Sequence, residues 1–146
     1  MRAVVILLLA LAAVDTRAQA GEPGGLWLPG DRIVEALGGK TLGGRYANGR
    51  TFIERYLPDG RLEYSEDGQT MGGHWSVTAG TLCTIYDSDP AGGCYRVTKA
   101  GANCFEFYFA ARTEAAAPGP EGSVPAWTAQ GSVASEPATC HDGANV

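Results

Sequence analysis

The chain has 146 residues, a formal net charge of −5 and 45% apolar residues, with 18% charged. That length holds one domain with a core of its own. An acidic chain without a basic cluster is repelled by phosphate backbones and anionic lipid, which excludes nucleic acid and membrane surfaces as partners.

Residues 1–20 have the grammar of a secretory signal peptide. Met1-Arg2 is a short positive start, Val4 to Val14 is an almost unbroken apolar run, and Ala18-Gln19-Ala20 places small residues where a signal peptidase reads. The run is too short for a span of about 20 residues. The expected mature chain begins at Gly21 and carries nine basic and fifteen acidic groups, net −6. It is expected to be periplasmic or secreted, with no membrane attachment after cleavage.

Pro29 to Gly39 predicts a helix of about two turns that packs on or plugs a sheet. Ile33, Val34 and Leu37 would share its apolar face, Asp31 would cap or charge its start, and Gly38 would end it in the left-handed conformation. From Thr41 the pattern changes to short strands and tight turns. Thr41–Ala47 and Thr51–Leu57 flank Asn48-Gly49, a hairpin signal in which both residues tolerate positive φ. Pro58-Asp59-Gly60 turns into Arg61–Ser65, and Glu66-Asp67-Gly68 turns again. Met71, Gly73, Trp75 and Val77 then alternate with polar or small residues and belong inside. Leu82–Tyr86, Gly93–Val97 and Cys104–Tyr108 follow. In the last, Phe105, Phe107 and Phe109 share one face. Arg112 to Glu121 is an Ala/Pro/Gly-rich loop, and Trp127 to Val133 offers an eighth, closing strand.

The predicted fold class is therefore all-β: a small antiparallel up-and-down barrel or flattened sandwich of seven or eight strands, preceded by a short helix. Residues 21–111 form the barrel domain and 112–146 an Ala/Pro/Gly-rich tail. A meander of this length closes to remove its edges.

Four cysteines in an exported chain imply disulfides. Pairing Cys83 with Cys94 centres a hairpin between Ser88 and Asp89, within a polar stretch that suits a turn. Of the three possible pairings the spacing favours this one, under which Cys104 and Cys140 would pair by elimination and tie the tail back. No C-x-x-C spacing suggests zinc.

The run Gly39 to Tyr46, Pro58-Asp59-Gly60, Gly73-His74-Trp75-Ser76-Val77, Leu82-Cys83 and Cys94-Tyr95-Arg96-Val97 resembles a group of small exported proteobacterial domains of unknown function with a lipocalin-like look. The resemblance covers about residues 30–109. It implies a β-barrel and export, and no catalytic residue. Cys104, Cys140 and the long tail are not part of that pattern.

Reactive sets are weak. His74 and Ser76 share a strand face, but no Gly-x-Ser-x-Gly elbow is present. Asp87-Ser88-Asp89 lacks the closing glutamate of a calcium loop, Thr98 standing there instead. Glu66-Asp67 reads as a solvated turn. No metal, cofactor or catalytic residue is expected, and the chain reads as a non-enzyme. Six tyrosines are generous for a small β domain, and tyrosine suits surfaces that are both apolar and hydrogen-bonding. The candidate ligand-binding residues are Trp75, Tyr46, Tyr56, Tyr86 and Tyr95. The expected function is an exported binding or interaction module that takes a small apolar ligand or a protein partner. The alternative is an inhibitor of a periplasmic or extracellular hydrolase, acting through the Asp87–Gly93 loop. A further Tyr-turn-Gly-Arg likeness, Tyr46–Arg50 against Tyr56–Arg61, reads as repeated hairpin chemistry or as a shared Tyr/Arg surface.

Overall fold

The structure, a computed structural model, describes residues 26–111 and 127–140. The expected signal peptide, the Arg112–Glu121 loop and His141 lie outside them. One helix, α1 (Gly30–Leu37), precedes eight strands: β1 (Thr41–Tyr46), β2 (Thr51–Tyr56), β3 (Arg61–Glu66), β4 (Gln69–Thr78), β5 (Thr81–Tyr86), β6 (Asp89–Gly101), β7 (Cys104–Ala111) and β8 (Ala129–Val133). The strands pair antiparallel in chain order, and β8 returns to β1 to close an eight-stranded barrel. Among the described residues no helix is long and apolar enough to cross a membrane.

Two hairpins explain the repeated Tyr-Gly-Arg pattern. In the first, the Tyr46 N–H donates to Arg50 O and the Gly49 N–H to Tyr46 O. In the second, Leu57 donates to Arg61 O and Gly60 to Leu57 O. Both are turns closed by a left-handed glycine, at φ 88° for Gly49 and 86° for Gly60, and Asn48 does not share that conformation. The side chains of Asn48 and Asp59 accept the N–H two residues on, from Arg50 and Arg61. The two tyrosine–arginine pairs do not make one shared surface, although Tyr46 and Arg50 of the first hairpin line the same depression. Tyr56 is buried in the core, whereas Arg50 and Arg61 lie outside on Glu66 and Asp59.

Alternation places Leu42, Phe52, Leu62, Leu82, Val97, Phe107 and Val133 in the barrel interior, all buried. Burying each large aliphatic side chain contributes about 1.5–3 kcal/mol. The helix plugs one end. Ile33 and Leu37, one turn apart, are fully buried in the core. Val34 is rotated off that stripe and is 47% exposed, so the apolar face is narrower than the three residues suggested. Asp31 makes no capping bond, because Pro29 holds the N-cap position. Asp31 acts through its charge in the first turn. The left-handed residue after the helix is Gly39, at φ 74°, not Gly38 at −58°. Phe109 also departs from the alternation pattern. It lies beyond the last β7–β8 pair and is 47% exposed, leaning on Tyr95.

The closing seam is held from both sides. Outside, Arg45 donates to Gln130, Gln130 to Glu106, and the Tyr108 hydroxyl to Glu106. Inside, Phe52 lies over Gly44, where an added Cβ would meet the ring at 2.3 Å and Gln130 O at 2.6 Å. Gly44→Ala should therefore destabilise by about 3 kcal/mol through overpacking against backbone. Thermal unfolding checks this, and an unchanged midpoint would contradict the close approach.

Cys83 and Cys94 face each other across β5 and β6, with Cα atoms 4.0 Å apart, and are joined. The hairpin beyond them is less regular than the spacing implied. Thr84 pairs with Gly93 but Tyr86 with Asp89, so a bulge leaves residues 90–92 opposite Ile85. The turn centre moves to between Asp87 and Ser88. Cys104 and Cys140 form the second disulfide. Next to it the Asn103 side chain receives the Val133 N–H and donates to the carbonyls of Val133, Glu136 and Pro137. The chain after β8 is thus tied back by polar bonds as well as sulfur. Two disulfides are consistent with an oxidising compartment.

Candidate functional site

Inward positions on five of the eight strands carry tyrosine, and the side chains gather toward the barrel end away from α1, Tyr56 reaching Glu54 from a backbone at the α1 end, where its N–H donates to Lys40 O. Tyr46 ends β1, Tyr56 ends β2, Tyr64 lies near the end of β3, Tyr86 ends β5 and Tyr95 follows the disulfide on β6. Even spacing along each strand keeps these side chains on the inner face. The rings form a continuous series: Tyr46 lies 4.8 Å from Phe52, Phe52 6.2 Å from Tyr64, and Tyr64 5.0 Å from Tyr86, centroid to centroid. A small cavity of about 30 Å³ opens among Tyr46, Phe52, Tyr56, Tyr86, Tyr95 and Phe107, with Glu54, Leu82, Thr84 and Ala129 completing its wall.

The chemistry of this end centres on Glu54. Its place between Phe52 and Tyr56 on β2 turns it inward, where it is 6% exposed. The Tyr56 hydroxyl donates to Oε2 at 2.5 Å and the Tyr86 hydroxyl to Oε1 at 2.6 Å. Burial raises the Glu54 pKa above the ordinary carboxyl value, and the two phenol donors only partly oppose it. Among the described residues, the groups bearing on that carboxyl are the Tyr56 and Tyr86 phenols, and no basic side chain is one of them. Burial likewise pushes Tyr46 up to about 12 and raises Tyr56 and Tyr86 well above the usual phenol value. These phenols therefore remain hydrogen-bond donors at any ordinary pH.

A second polar group lies at the rim. Tyr46 and Tyr64 share a hydroxyl hydrogen bond of 2.8 Å, and Glu66 accepts from Tyr64 and from Arg50. The Glu66 side chain is only 14% exposed, so it belongs to the mouth and is not the solvated turn residue expected of Glu66-Asp67. A shallow depression of about 360 Å³ lies over it, lined by Tyr46, Asn48, Arg50, Glu66 and Thr128. Among the described residues, two buried oxygens at this end have no hydrogen-bond partner, Glu66 Oε1 and Thr84 Oγ1. The Thr84 hydroxyl stands close enough to Tyr86 to affect its titration, yet makes no hydrogen bond of normal geometry.

Of the tyrosines singled out in the sequence, Tyr46, Tyr56, Tyr86 and Tyr95 meet at one cavity. Trp75 is not among its lining residues. Its indole N–H donates to Leu57 O and its ring stands edge-on to Tyr56, on the side of the barrel nearer α1. Glu54, Thr84 and Phe52 complete the site, together with Tyr64, one of the six tyrosines that the composition draws attention to. Their signal is the Phe52-x-Glu54-x-Tyr56 alternation, which puts a carboxyl on a face otherwise aromatic. His74 and Ser76 are exposed on the outer face of β4. Among the described residues no group of three or more His, Cys, Asp and Glu side chains is placed to hold a metal ion. A larger open depression, about 490 Å³, flanks α1 outside the barrel. Its charges are mixed, and Arg32–Glu35 and Asn103 are already engaged there.

No protein-family model, curated protein or solved structure matches the chain.

Proposed function

We propose that the protein is an exported, non-enzymatic binding module that takes a small ligand at the tyrosine-lined end of its barrel. The observation that carries this reading is the buried Glu54 carboxyl, ringed by phenols and accompanied by unpartnered acceptors beside a cavity. Buried polar groups left without partners are a standing cost in a free protein. A ligand that supplies the missing donors removes that cost. The closed, doubly stapled barrel keeps these groups in place beforehand, so little ordering is needed on binding. The inner space is far below the 300–1,000 Å³ of typical enclosed sites. One small group of the ligand therefore enters it, and the remainder rests in the open depression at the rim.

Export is supported by the signal-like residues 1–20 and the two disulfides. The resemblance to small exported proteobacterial domains with a lipocalin-like look supports the periplasm as the compartment. Native mass spectrometry of unreduced protein purified from its source tests the binding reading. The expected result is a small molecule carried by the folded protein and lost on denaturation, with reduced occupancy in Tyr86→Ala. Protein that carries nothing, and whose mouth amide resonances move with no member of a small-molecule library, would contradict it.

A second reading is inhibition of a periplasmic or extracellular hydrolase through the Asp87–Gly93 hairpin. The favouring observation is that the Cys83–Cys94 bond clamps the base of that hairpin, next to an exposed Ile85. It predicts that Cys83→Ser with Cys94→Ser abolishes protein binding while leaving ligand binding at the mouth intact.

A further inference from the structure

We infer that the mouth ligand is a small primary alkylammonium ion, its head seated on Glu54 and its chain leading out past Tyr46. This rests on the mouth being a binding site, and it specifies the chemistry that site selects.

The inner wall presents acceptors and π faces. Glu54 contributes two oxygens, each taking a single phenol donor. Thr84 Oγ1 is 2% exposed as a residue, lines the same cavity and lacks a partner. Glu66 Oε1 waits unpartnered at the rim. An ammonium head has three donors and no acceptor, which is the complement of this set. The aromatic rings of Tyr46, Phe52 and Tyr86 also line the cavity, and aromatic rings attract a cation. Size makes the class narrower. The cavity of about 30 Å³ has room for a group on the scale of a water molecule, and an ammonium group is of that scale. A quaternary ammonium head is larger and has no N–H to give. A neutral alcohol brings one donor and no charge. The chain of the amine would lie along Tyr46 and Ala47 in the rim depression.

The anion needed for binding also sets a pH dependence. Glu54 is held toward its protonated form by burial, so the cation must displace a proton, and affinity rises as pH rises. The titratable groups facing Glu54 are Tyr56 on its own strand, Tyr46 on β1, Tyr64 and Glu66 on β3, Tyr86 on β5 and Tyr95 on β6. Tyr46, Tyr56, Tyr64 and Tyr86 are raised and remain neutral, leaving Glu54 as the inner group that changes charge.

The test is an NMR titration of the disulfide-bonded protein with n-butylammonium, tetramethylammonium and 1-butanol. Butylammonium should move the amides of Glu54, Thr84 and Tyr86, with the other two probes weaker by about tenfold or more. Glu54→Gln should weaken butylammonium by about 10- to 100-fold, the size of a lost charge-assisted bond. Thr84→Val, which keeps the shape and removes the acceptor, should weaken it by about threefold or more. Glu63→Gln, exposed on the outer face, should change nothing. Affinity should rise by up to about tenfold per pH unit while Glu54 is protonated. Butanol binding as well as butylammonium at those amides, or full affinity in both Glu54→Gln and Thr84→Val, overturns the ammonium assignment and leaves the mouth as a site. If no probe and no carried molecule reaches those amides, the assignment and the mouth reading both fail.

Discussion

Glu54→Gln should stabilise the protein by about 1–3 kcal/mol at neutral pH, the scale of relieving an unpaired buried charge. Burial raises the folded-state pKa of Glu54 above its ordinary value of 4.5. Between that value and the folded one, the native state keeps a proton that the unfolded chain has lost. Stability is therefore greatest at the acidic side of this window and falls as pH rises through it, by at most about 1.4 kcal/mol per unit. Above the folded value it levels off. Glutamine has no such proton and still accepts one phenol bond, so its stability should be flat across the window. Urea unfolding at intervals from about pH 4 to about pH 8 reads this directly. A wild-type midpoint that does not fall with pH, or a variant weaker at every pH, would show that the two phenol bonds outweigh desolvation. Such a variant would join greater stability to weaker binding, the usual trade at a functional site.

Replacing Cys104 and Cys140 together by serine should cost about 4 kcal/mol, more than the loss of Cys83–Cys94 at about 3 kcal/mol. The difference follows from loop length, 36 residues of separation against 11. Location adds to it. β8 pairs with β7 at only Phe105–Gly131, Glu106–Gln130 and Phe107–Ala129, so the closing strand relies on β1 and on the tethered segment after it. Without the sulfur link, the Asn103 bonds to Val133, Glu136 and Pro137 must hold that segment alone. Hydrogen exchange should accelerate first in β8 and β1, while the β2–β4 amides keep their protection. Equal losses for the two double variants, or uniform acceleration around the barrel, would count against this account.

The barrel was legible because its turns are written in short-range chemistry. Asn48-Gly49, Pro58-Asp59-Gly60, Glu66-Asp67-Gly68 and Ala79-Gly80 each end a strand with a residue that accepts positive φ, and each is a turn here. Cys83 opposite Cys94 followed from counting residues, although the bulge after Thr84 moved the turn. A bulge depends on how neighbouring strands twist, and spacing along one strand does not record that. The site was half legible. Tyrosine number and type pointed to Tyr46, Tyr56, Tyr86 and Tyr95, and barrel closure brings them to one end. Trp75 shares their aromatic, inward character in the sequence. Its position farther along β4 sends it toward α1 instead. Glu54 is hidden in the sequence because a charged residue in a strand usually faces water. Its alternation with Phe52 and Tyr56, and its pairing with Leu42 and Tyr64 on the adjacent hairpin strands, make its inward direction plain.

The meeting of β1 with β8 has a consequence for how the molecule assembles. Every other strand contact joins neighbours in sequence, so seven ribbons can zip up quickly from local turns. The last contact must bring Leu42 to Val133, across nearly the whole described chain, and its entropy of closure is met only at the end. The expected rate-limiting event is therefore the docking of one short segment onto an otherwise finished, open sheet. Until then two bare edges face solvent, which makes the period just before docking the time of greatest exposure to proteases and to sticking between nascent copies.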